Sequence, residues 1–203
     1  MHGGALRAPV VRLVNRLAPA LSLFFQPILV GTYVIVALSL AGAASPAAGV
    51  GWALLAVGLC AGVPSLDLAR RMRAHSVSDF QVAAREQRLR PLLVSLACTA
   101  VALTLVVLGH GPESLRIGLA AALVTGTVMT VVTTQWKISF HAGSAAGAVV
   151  LMSWQFGGVA TLLLPLFAAV CWSRIYLRRH TLTQVLAGLV VGAALTAGVI
   201  AAA

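Results

Sequence analysis

The sequence predicts an all-α integral membrane protein, a bundle of about six to seven transmembrane helices. Three observations predict it. Of 203 residues, 60% are hydrophobic and only 9% charged, with a mean hydropathy of +1.00; a soluble domain carries about a quarter of its residues as charges to cover its surface. The few charges are bunched, which leaves uncharged runs at 17–66, 91–112, 117–136, 138–173 and 180–203. Turn-forming residues then divide the runs: Ala44-Ser45-Pro46-Ala47, Gly109-His110-Gly111-Pro112 and Gln155-Phe156-Gly157-Gly158.

Crossing about 30 Å of hydrocarbon takes about 20 residues at 1.5 Å each. The first and fourth runs therefore hold two helices and the others one. Seven helices are expected, near 19–42, 48–66, 91–109, 115–135, 141–155, 159–173 and 181–201. The chain, 1–203, reads as a single membrane domain with a basic N-terminal segment over 1–18 (Arg7, Arg12, Arg16). The apolar run that follows is too long for an ordinary signal-peptide core, so it reads as an uncleaved first helix. Residues 67–90 read as a polar cytoplasmic loop or surface-lying segment, in which Asp79 and Glu86 pair with neighbouring arginines. Cys60, Cys98 and Cys171 stand alone in apolar runs and read as small hydrophobes. Ala187, Gly188, Gly192, Ala193 and Ala194 suit close helix packing in the last span.

The formal net charge is +10. Its carriers sit between apolar runs and not on a soluble surface, which favours lipid headgroups or phosphorylated substrates as partners and excludes nucleic acid. With this helix count, 13 of the 14 basic residues fall on the face that carries the N-terminus, and Arg116 alone lies opposite. The positive-inside rule makes the crowded face cytoplasmic, in a multi-pass protein of the plasma (inner) membrane. Arginine outnumbers lysine 13 to 1 amid abundant alanine and glycine, a composition associated with GC-rich bacterial genes. Arg70, Arg71 and Arg73 read as headgroup anchors, as do Arg178 and Arg179. His2, His75 and His110 read as incidental.

Parity of the crossings brings Arg90, His141 and the Arg174–His180 stretch to the same face. There, Ser173-Arg174, five residues and His180 resemble the third signature of the type-2 phosphatidic acid phosphatase superfamily, S-R-x5-H-x3-D. Ile138-Ser139-Phe140-His141 resembles its second, P-S-G-H, and Arg90-Pro91 the end of its first, K-x6-R-P. The resemblance extends over 79–192. Position 83 holds alanine where the family has lysine, with Arg85 the nearest cation; Ile138 and Phe140 replace proline and glycine; Gln184 replaces the aspartate.

The resemblance implies a metal-independent phosphatase with no cofactor, acting on a membrane lipid substrate such as phosphatidic acid, a prenyl phosphate or a prenyl-linked sugar phosphate. It implies His180 as the nucleophile that forms a phosphohistidine, and His141 as the acid that protonates the leaving alcohol. Arg174 and Arg90, with Lys137 or Arg85, would hold the phosphoryl oxygens, since a guanidinium fork donates two parallel hydrogen bonds. Ser139, Ser173 and the first amides of the fifth helix would add donors. Gln184, one helical turn beyond His180, would orient the imidazole without supplying negative charge. Two other readings stand beside this one: a catalytically silent member of the fold that binds lipid phosphates or partner proteins, and a small transporter. The transporter is disfavoured because no charge falls in the interior of the expected spans, Arg116 standing at the very start of one, and a prenyltransferase because no aspartate-rich motif occurs.

Overall fold

The computed structural model describes residues 7–77, 82 and 87–203, with side chains from residue 11 onward. The described residues form an all-α membrane bundle. Arg7–Phe24 (α1) and Pro27–Gly42 (α2) meet at a 55° bend. Pro46–Val57 (α3) continues through a π-helical turn, Gly58–Gly62, into Val63–Arg73 (α4). Leu89–Leu108 (α5) and Glu113–Gln135 (α6) follow, then Phe140–Phe156 (α7), a 3-10 turn at Gly157–Leu163, Leu164–Tyr176 (α8) and Leu182–Ala202 (α9). The exterior is apolar: Leu162 is 78% exposed, and Leu54 and Leu108 71%. Such a surface needs hydrocarbon as solvent. α6 is the central helix, with 44% of its most apolar stretch buried against 11–22% in the other spanning candidates.

Three departures from the expected helices have local causes. The first span breaks after Phe24 because Gln26 precedes Pro27 and is held extended (φ −67°, ψ 154°), the conformation that the proline ring imposes on its predecessor. The loop expected from residue 67 starts later. Asp67 to Arg73 stay helical, with Arg71 Nε donating to Asp67 at 2.6 Å one turn back, and the arginines of the last turn suit the negative helix end. Within that segment the Val63 amide bonds to the Gly58 carbonyl five residues back, which widens the helix just ahead of Pro64. Asp79 and Glu86 lie outside the described residues.

By length and composition five segments can cross a membrane, or six with the bent pair, and Phe140–Tyr176 passes as a single stretch of 37 residues. That stretch is nevertheless a hairpin. Phe167 packs against Ala145 and Ala148, and Cys171 against Ala142, in antiparallel register. The reversal falls at Gly157, whose φ of +70° and ψ of −157° are open essentially to glycine alone. The expected separation of this run into two helices therefore describes its path. α9 then runs parallel to α7 along a glycine seam. A Cβ on Gly192 would collide with the Gly143 carbonyl, and one on Gly188 would come within 2.5 Å of the Ser139 carbonyl oxygen.

Candidate functional site

The hairpin and the parallel return place the starts of α7 and α9 beside the end of α8. α8 ends in a Schellman turn: Arg178 adopts φ 52° and donates to Ile175, while Arg179 donates to the Arg174 carbonyl at 3.0 Å. The His180 amide reaches the same carbonyl at 3.2 Å. Thr181 immediately caps α9, its hydroxyl accepting from the Gln184 amide. The five-residue interval between Arg174 and His180 is thus one helix termination followed directly by one helix start. Ser139 caps α7 by accepting from the Ala142 amide, and its own amide donates to the Gln184 carbonyl at 3.2 Å. This last bond ties the two helix starts together.

Around this junction lies a cavity of about 150 Å³ whose wall includes Arg88, His141, Arg174 and His180, with Gln26 and Ser95. Its described wall carries two guanidinium groups, two imidazoles and no carboxylate. Arg174 is 2% exposed and Arg88 8%. One Arg174 amino group donates to the Ser22 hydroxyl, and Arg88 Nε donates to the Val82 carbonyl at 2.8 Å. Two buried, oriented cations lining the same small space make an anion site.

Hydrogen bonds decide the state of each imidazole. Gln184 Oε1 accepts from the Thr181 amide at 3.2 Å and lies 3.1 Å from His180 Nδ1. A backbone amide only donates, so the atom at that position is the amide oxygen and Nδ1 carries the proton. Nε2 of His180 then bears the lone pair. His141 Nε2 lies 3.1 Å from the Ser22 carbonyl, which only accepts, so here Nε2 carries the proton and Nδ1 is left for exchange. The Ser22 carbonyl is available because the Gln26 amide, its helical partner by spacing, bonds instead to Leu23 where α1 ends. Burial, then the charges of Arg174 and Arg88, push the His180 pKa down to about 3, against a smaller opposing pull from Gln184. His180 is therefore a neutral imidazole at physiological pH.

The sequence-expected site residues divide sharply. His141, Arg174 and His180 share the cavity wall, and Gln184 stands behind His180. Lys137 is half-buried and close enough to His180 to disfavour its protonation, but is not part of the wall. Ser139 is spent on capping, and Ser173, fully buried, donates to the Val170 carbonyl of its own helix at 2.6 Å. Neither hydroxyl lines the cavity. Arg90 is exposed and off the wall; Arg88 takes the place expected of it. The reason is helical phase: Arg88, Pro91, Leu92 and Ser95 lie at i, i+3, i+4 and i+7, and all four face the cavity. That spacing was present in the sequence. Arg85 and Ala83 lie outside the described residues. Nothing in the sequence marks Ser22, and Gln26 is marked only as the residue before Pro27. Among known proteins, no family model, no curated protein and no solved structure matches this chain.

Proposed function

We propose that the protein is a metal-independent phosphatase that releases phosphate from a lipid-linked phosphate, a divergent relative of the type-2 phosphatidic acid phosphatases. The observation that carries this reading is the shared cavity. His180, with its Nε2 lone pair set by Gln184, lines the same small space as His141, Arg174 and Arg88. The positive-inside rule places that end of the bundle at the cytoplasmic surface of the inner membrane.

In the first step His180 Nε2 attacks phosphorus while the bond from phosphorus to the lipid oxygen breaks. A proton taken up on His141 Nδ1 as the phosphate anion binds between the arginines passes to the departing oxygen. In the second step water attacks the phosphohistidine, returns a proton to His141 Nδ1, and phosphate leaves as the P–N bond breaks. Arg174 and Arg88 hold the phosphoryl oxygens through both steps. Gln184 is a positioning residue: it fixes the tautomer of His180 but offers the imidazolium no countercharge. The test is phosphate release by the purified protein from phosphatidic acid, prenyl phosphate and prenyl-linked sugar phosphate. Equal release by His180→Ala removes the assignment. The neutral Gln184 favours a second reading, a silent member that binds lipid phosphates; that protein would never acquire ³²P on His180.

A further inference from the structure

A second cavity of about 250 Å³ lies between α2, the π-helical turn, α5, α6 and α7. It shares Pro27, Ile28, Leu92, Ser95 and Phe140 with the basic cavity, so the two abut. Its wall is mostly apolar. The hydroxyls of Thr32, Ser95, Thr99 and Ser144 are already engaged, donating to carbonyls of their own helices at 2.8–3.2 Å. Thr125 and Thr130 have no side-chain hydrogen-bond partner among the described residues, and each can turn to a carbonyl one turn back on α6. Gly118, Ala121, Ala122, Gly126, Gly143 and Gly147 provide the room.

The dimensions match one chain. From Pro27 to Leu38, both on the wall, α2 rises on the order of 16 Å at 1.5 Å per residue. That is about one leaflet of a ~30 Å hydrocarbon core. A dry apolar cavity of roughly 150 Å³ already admits benzene. Spread over one leaflet of depth, 250 Å³ is the width of a single hydrocarbon chain.

We infer that this cavity is a tail subsite, in which one hydrocarbon chain of the lipid lies along α2 while its phosphate occupies the basic cavity between Arg88, Arg174, His141 and His180. The inference rests on the phosphatase reading for its polar end, and its apolar end can be tested separately. The cavity holds the phosphate-proximal part of one chain; the rest of that chain, and any second chain, stays in the bilayer.

Gly31 is the position to perturb. It lines the cavity, and a Cβ built there meets nothing within 4 Å, so a side chain can be started there without a clash at its first atom. The experiment uses the full chain in detergent micelles with butyl phosphate and hexadecyl phosphate, together with a hexadecyl phosphate carrying a photoactivatable diazirine at mid-chain. In the wild type, kcat/KM for hexadecyl over butyl phosphate is at least tenfold, and Gly31→Leu and Gly31→Phe progressively collapse that ratio. The photolabel lands on cavity residues of α2 and α6. A chain-length ratio near one, a ratio untouched by Gly31→Phe, or a label confined to lipid-facing positions such as Leu54 and Leu108 overturns the inference. If no phosphate is released from either compound yet the label maps to α2 and α6, the phosphatase reading falls and the tail subsite stands.

Discussion

The two histidines of the basic cavity are held in opposite ways. His180 is fixed locally: its amide bonds to Arg174, six residues back, and its ring to Gln184, four residues on. His141 is fixed from a distance, by the carbonyl of Ser22, 119 residues earlier. One imidazole therefore keeps the Nε2 lone pair and the other keeps Nδ1 for exchange; under the proposed function, tautomer choice divides nucleophile from proton carrier. Local hydrogen bonds leave a spacing in the sequence, whereas a backbone carbonyl used at long range leaves none.

The largest effect expected from breaking this division is at the nucleophile. His180→Ala lowers phosphate release by at least ~10³-fold, the scale on which loss of a nucleophile acts, and abolishes ³²P capture. His141→Ala leaves labelling detectable while slowing release of the alcohol; rapid-quench kinetics separate the two steps. Next come the arginines. Arg88→Ala costs about a hundredfold in kcat/KM, the scale of losing one oriented donor, whereas Arg90→Ala leaves kcat/KM within about twofold, since exposed cations contribute little. Equal effects at 88 and 90 would undo the helical-phase argument.

Smaller changes sharpen the comparison. Gln184→Glu keeps the capping pattern at the start of α9 and gives His180 a carboxylate, so its imidazole titrates higher, as NMR of ring-labelled histidine reports; Arg174→Gln shifts it the same way by removing a neighbouring cation. Gln184→Asp installs the aspartate of the signature that this stretch resembles and, under the proposed function, preserves or raises activity. Stability carries the same signature. With a folded pKa near 3 against about 6.5 unfolded, the unfolded chain binds the extra proton between those values. Stability from this group is complete above about pH 6.5 and is lost as pH falls toward 3. His180→Gln flattens thermal stability across that window. The smallest effect is Arg178→Gly, which relieves a left-handed residue at the helix terminus and leaves stability unchanged or raised by up to about 1 kcal/mol, read by thermal unfolding.

The helical membrane class was legible because long uncharged runs have no other stable solution in hydrocarbon. The folding back of 138–173 was legible from Gly157-Gly158 and from the polar residues at both ends of the run. The break at Gln26-Pro27 was signalled by the proline, yet the uninterrupted apolar run outweighed it. The Arg174–His180–Gln184 spacing was readable because a helix end followed by a helix start has fixed length. Thr181-x-x-Gln184 also carried a capping signal beside its role behind His180. The Arg90-Pro91 pair points to Arg90, whereas the helical face that carries Pro91, Leu92 and Ser95 selects Arg88. Ser22 had no signal at all, since it contributes a main-chain carbonyl released by a helix end and one hydroxyl inside an apolar run.

The glycine seam between α7 and α9 has a consequence for the distance between the imidazoles. The backbones of these two helices touch at Gly143 and Gly192, and Gly143 stands only two residues beyond His141. The seam therefore sets how closely the first turn of α7, and His141 with it, lies against α9. A single added methyl at Gly192 would push that turn away and shift His141 relative to His180 without altering any polar residue; under the proposed function, turnover then weakens.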